Sequence, residues 1–119
     1  MRGKLTVGVK WAPKKDAINF QISRPSPLGN PFPITDKHPR DEVCDMYEEY
    51  LMDKLNAGDP TVHAPLTYLR DKLKEGVNVH LTCFCKGRGH ENRRCHGDFI
   101  KSILDENVLE DIEATLAKD

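Results

Sequence analysis

The 119-residue chain has 31% charged and 38% hydrophobic residues and a formal net charge of −1. A near-neutral total excludes a general DNA binder driven by phosphate contacts, which needs a surplus of Lys and Arg. No apolar run approaches the roughly 20 residues that cross a bilayer, and the apolar residues are clustered rather than absent, which excludes a disordered chain.

Lys4 to Lys10 alternates polar and β-branched residues and predicts a strand; Ala17 to Ile22 predicts a second, shorter one. Ser23 to Ile34 contains four prolines and a glycine, which forbid a regular helix or a central strand. Leu28, Phe32 and Ile34 offer it apolar anchors, so an ordered loop is expected. Asp41 to Leu55 is predicted helical, with Val43, Met46, Tyr47, Tyr50, Leu51 and Leu55 at helical spacing. Asp41 or Asp36 is expected to cap it, and Gly58 follows its end. A second helix is read over Ala64 to Lys74, with Pro65 in its first turn and Gly76 ending it. Val77 to Cys85 alternates as a strand. Gly97 to Leu104 and Val108 to Ala117 predict two closing helices, with a break at Asn107.

This order implies an α/β fold: one small domain over residues 1–119, with a three-layer Rossmann-like sheet and flanking helices. The N-terminus lacks the long apolar stretch of a signal peptide, so a cytoplasmic location is expected. Cysteines there are thiols or metal ligands more often than disulfides.

Three of the four cysteines and two of the five histidines fall between Cys83 and His96. Lys86, Arg88, Arg93 and Arg94 make the same stretch basic. Three chemistries compete. Cys83, Cys85 and Cys95, with His96 or His90, offer a Cys₃His set for zinc, although the spacing is not that of a standard zinc finger. His96, Gly97 and Asp98 open a helix, where free N–H groups and the helix dipole favour an anion; Arg94 and its neighbours would fork onto phosphate oxygens. Cys95 beside His96 and Arg94 also has the electrostatics of a nucleophile, with Asp98 completing an acid–base cluster. The bland counterpart to all three is a pair of core thiols and a solvated basic loop. Cys44, His38, His63 and His80 stand apart and read as structural or exposed. In the proline loop, Arg24 and Asn30 flank a rigid turn suited to a planar ring or an acidic group.

Together these residues resemble a small domain of unknown function found widely in bacteriophages and bacteria. Its members show an R-x-S-x-LGNPF-like loop, a helix with spaced aromatics, and an apolar strand running into C-x-C and C-H-G/A-D. The matching residues are Arg24, Ser26 and Leu28 to Phe32; Tyr47, Tyr50 and Leu51; Leu81, Cys83 and Cys85; and Cys95 to Asp98. Family members usually carry Trp where this chain has Phe84, and their link between Cys85 and Cys95 is shorter and less basic. The resemblance implies a shared α/β fold, the two motifs close in space, and a phage or bacterial origin; it supplies no reaction.

The leading expectation is a nucleotide or related phosphorylated ligand held between the motifs. Arg24 and Asn30 would hold the base or sugar side; Arg94, His96, Gly97 and Asp98 would hold phosphate. Cys83, Cys85, Cys95 and His96 would shape the pocket, with zinc as the candidate cofactor. One alternative is a zinc-stiffened interaction module binding a host protein or nucleic acid. Another is a nucleotide-directed hydrolase or transferase. No membrane partner is expected.

Overall fold

The computed structural model describes residues 2–9, 14–23, 26–83 and 94–117. Strands β1 (Leu5–Val9), β2 (Ile18–Gln21) and β3 (Val79–Cys83) form a sheet in the order β1-β3-β2, with both pairings parallel. Helices α1 (Arg40–Asn56), α2 (Pro60–Lys74), α3 (His96–Asp105) and α4 (Val108–Ala117) complete the described elements.

The register Leu5↔Val79, Val7↔Leu81 and Phe20↔Leu81 gathers the apolar side chains of the strands on one face. Leu66, Leu69 and Leu73 of α2, Ile100 and Ile103 of α3, and Tyr47, Leu51 and Leu55 of α1 join that face in one cluster. Each such leucine contributes about 1.5–3 kcal/mol relative to an exposed one. β3 is buried along its whole length, because it is central and flanked on both sides. On the other face His80 and Thr82 are buried as well, and Gly8 leaves room for the His80 imidazole: a Cβ there would lie 2.6 Å from the ring. His80 Nδ1 meets Thr6 Oγ1 at 2.7 Å.

Four local expectations are corrected. α2 starts at Pro60 rather than Ala64, because Asp59 caps it: its carboxylate accepts from the Thr61 N–H at 2.9 Å and the Thr61 hydroxyl at 2.7 Å. Pro60 therefore takes the first-turn place and Pro65 lies inside the helix. Neither Asp41 nor Asp36 caps α1; its N-cap is Pro39, with no side-chain bond. Ile34 is 51% exposed and anchors nothing, whereas Leu28 is fully buried. The break at Asn107 is as predicted, with φ at 58°, a left-handed conformation that asparagine tolerates better than most residues. No described helix is long and apolar enough to cross a membrane.

Candidate functional site

Because the three strands run parallel, their carboxyl ends share one edge of the sheet, and the two sequence motifs meet there. Cys95 is the N-cap of α3 in extended conformation, and its thiol fills the place usually held by Ser or Thr. Its Sγ accepts from the Gly97 N–H at 3.4 Å, while the Asp98 carboxylate accepts from the Cys95 N–H at 3.1 Å. The Asp98 N–H donates to the Cys95 carbonyl at 3.0 Å. Asp98 is thus a capping residue, and the N–H groups of Gly97 and Asp98 already have acceptors. Gly97 is buried: a Cβ there would stand 2.7 Å from Ile22 Cδ1 and 2.8 Å from Val7 Cγ1. The glycine lets the helix start sit directly on the sheet.

His96 Nε2 lies 2.6 Å from the Ile22 carbonyl. A carbonyl only accepts, so Nε2 carries the hydrogen, and in the neutral ring Nδ1 is the acceptor. Nδ1 lies 3.7 Å from Cys95 Sγ. The Tyr47 ring meets the His96 ring edge-on, with centroids 5.0 Å apart. The Tyr47 hydroxyl donates to the Leu28 carbonyl at 2.6 Å. Burial, then Tyr50 and Cys95, push this phenol well above its ordinary range, so it remains a donor. One α1 side chain therefore touches both motifs.

The loop's polar residues mostly hold its own shape. Asn30 Oδ1 accepts from the Phe32 N–H at 2.9 Å, and Asn30 Nδ2 reaches the Val43 carbonyl at 3.5 Å. Ser26 Oγ accepts from the Leu28 N–H at 3.2 Å. Phe32 packs edge-on against Tyr50. Ser23 differs: its hydroxyl is buried and has no hydrogen-bond partner among the described residues. It directly follows Ile22, whose carbonyl His96 holds.

Arg94 was expected to offer its guanidinium to phosphate. It is instead held by Asp45 at 2.8 Å, Glu48 at 2.6 Å and Asp41 at 3.4 Å, three carboxylates spaced along one side of α1. Its carbonyl also accepts from Arg40 Nη1 at 3.3 Å. Arg94 fastens the chain just before Cys95 to α1.

Cys83 Sγ and Cys95 Sγ are 3.0 Å apart, and both residues are buried. Two thiolates on one tetrahedral zinc, with Zn–S near 2.3 Å, stand about 3.8 Å from each other. The observed contact is well inside that distance. Among the described residues no group of three His, Cys, Asp or Glu side chains is arranged to hold a metal. At this separation Cys83 and Cys95 do not stand as two thiolates on one zinc. Arg24 and Cys85, together with Arg88 and Arg93, lie outside the described residues.

The site thus joins an LGNPF loop to a C-H-G-D helix start through Tyr47 and His96. The chain belongs to the family described as Domain of unknown function (DUF4326). The family pattern matches residues 9–106. That DUF4326 span runs from the last residue of β1 past the end of α3 and takes in both motifs, while α4 lies beyond it. No curated protein and no solved structure matches the chain.

Sequence reading did not single out Ser23, nor the linking role of Tyr47, which it took as one more apolar position of a helix. The spacing of Asp41, Asp45 and Glu48 was a usable signal for a cation docked on α1. Nothing in the sequence marks the Ser23 hydroxyl as unpartnered.

Proposed function

We propose that the chain binds a nucleotide or a related phosphorylated ligand where the LGNPF loop meets the Cys95–His96 segment. The observation that carries this reading is the Ser23 hydroxyl, buried without a partner among the described residues at the carboxyl edge of a parallel sheet. A buried hydroxyl lacking a partner costs about 1–3 kcal/mol, which a ligand oxygen would offset. In open parallel sheets ligands bind beyond the strand carboxyl ends. Arg24, next in the sequence, brings a guanidinium suited to phosphate. The ligand's anionic end is assigned to this loop side, since Arg94 and the N–H groups of Gly97 and Asp98 have partners of their own. Asn30 and Tyr47 keep the loop in shape for it.

The reading extends to a three-layer Rossmann-like domain, in which the His80–Thr82 face of the sheet is covered as the Leu81 face is. The exposures of His80 (5%) and Thr82 (4%) support that. It also extends to a phage-type protein in the cytoplasm of an infected bacterial host.

The test is thermal unfolding with mononucleotides at millimolar concentration, on the native protein and on Ser23→Ala. Without ligand the variant is as stable as the parent or more so, because a methyl group replaces an unsatisfied hydroxyl. At least one nucleotide raises the parent's midpoint and raises the variant's less; a ligand at 100 times its Kd adds about 2.7 kcal/mol. No shift with any nucleotide refutes the reading, and an equal shift in both proteins removes Ser23 from it.

A further inference from the structure

The thiol contact that fits zinc poorly fits another chemistry. We infer that Cys83 and Cys95 are a redox-active dithiol, closed to a disulfide by a small hydroperoxide. Cys95 is the attacking thiol and Cys83 the resolving one. The two thiols close in this way whether or not the junction takes a nucleotide.

Three observations converge. The sulfurs are 3.0 Å apart, so the bond of about 2.05 Å forms with a closure near 1 Å. The Cys95 sulfur accepts the Gly97 N–H at the first turn of α3, where the positive end of the helix favours negative charge on sulfur. His96 Nδ1 lies 3.7 Å from the same sulfur, and the Ile22 carbonyl holds the ring so that Nδ1 is the proton acceptor. Cys83 lies on the central strand, its sulfur 3.8 Å from the Gly8 carbonyl. The helix-start contact and the His96 neighbour assign the attacking role to Cys95.

The step balances. Cys95 gives its proton to His96 Nδ1, and its sulfur attacks one peroxide oxygen. The O–O bond breaks and an S–O bond forms; the departing hydroxide takes the proton back and leaves as water. Cys83 sulfur then attacks Cys95 sulfur, the S–O bond breaks, and the second hydroxide leaves with the Cys83 proton. Two thiols are oxidised, and one peroxide is reduced to two waters. In a reducing compartment the pair rests as dithiol and closes only under oxidant. Closure ties the end of β3 to the start of α3, the two elements that carry the site.

The test uses the whole reduced protein with equimolar hydrogen peroxide, followed by alkylation and peptide mass mapping. The expected product links Cys83 to Cys95, leaves Cys44 and Cys85 alkylated, and reverts with dithiothreitol. In Cys83→Ala, Cys95 stops at a sulfenic acid trapped by dimedone. That variant leaves the Cys95 cap in place, and the native protein gives a reading by itself. Full alkylation of Cys83 and Cys95 after peroxide overturns the inference, as does a Cys85–Cys95 link. Thiols that react only after a chelator is added assign the pair to a metal and overturn it too.

Discussion

Substituting Gly97 by alanine separates two accounts of the C-H-G-D segment. If the glycine opens the backbone to a ligand, alanine leaves the unliganded fold alone or stabilises it, since alanine is the better helix former by up to about 1 kcal/mol. The structure predicts the opposite. The added Cβ would lie 2.7 Å from Ile22 Cδ1 and 2.8 Å from Val7 Cγ1, distances that force a shift. Ile22 Cδ1 is the end of a side chain and can swing, but Val7 branches at its own Cβ and is stiff. Overpacking of this kind costs about 1–3 kcal/mol. Set against the helix gain, the expected loss is about 1–2 kcal/mol, or roughly 5–10 °C in Tm for a domain of this size. Urea unfolding reads it as a lower midpoint at unchanged slope. Ile22→Val, which deletes the methyl carbon nearest to the new Cβ, should recover part of the loss in the double variant and cost stability alone. Gly97→Ala as stable as the parent refutes the packing account and returns the glycine to a ligand role.

Tyr47→Phe removes the donor to the buried Leu28 carbonyl and should cost about 1–3 kcal/mol in urea unfolding; an unchanged midpoint would show that the loop does not depend on it. Arg94→Met should lower stability by about 1 kcal/mol or less, because the guanidinium is partly exposed, and the difference should shrink in high salt. A loss that ignores salt would mean packing rather than charge. Asp59 has its carboxyl lowered from 3.8 to about 2, first by the Thr61 hydroxyl, then by the Thr61 N–H and Lys54. A depressed carboxylate stabilises above its unfolded pKa and loses that contribution as pH falls through the folded one. The stability gap between the parent and Asp59→Asn should therefore hold above about pH 4 and narrow toward pH 2; a gap constant over that window would refute the assignment.

Helical spacing and turn residues made most of the elements readable, because amphipathic order is local. The early start of α2 was also local, in Asp59-Pro60-Thr61, but Pro65 offered a competing start signal. Strand order was not readable. Two short strands in succession say nothing of a third, distant in sequence, lying between them. The motifs' meeting was implied by resemblance, but its physical means were not legible: Tyr47 looks like any apolar helix position until its hydroxyl is seen on Leu28. Gly97 and Asp98 were read by residue type as ligand groups. Their roles turn on what lies above and beside the helix start, and no spacing rule reports that.

The sheet order also governs how the chain can fold. Among the described residues neither β1 nor β2 has a strand neighbour except β3, and the Thr6–His80 contact joins residues 74 apart. Long loop closure makes such pairing slow compared with helix formation. During synthesis α1 and α2 are complete before the central strand exists, so the first two strands wait with open edges. A chain stopped short of Val79 lacks the strand that pairs both others, and its unpaired N-terminal strands are the segments most exposed to wrong partners.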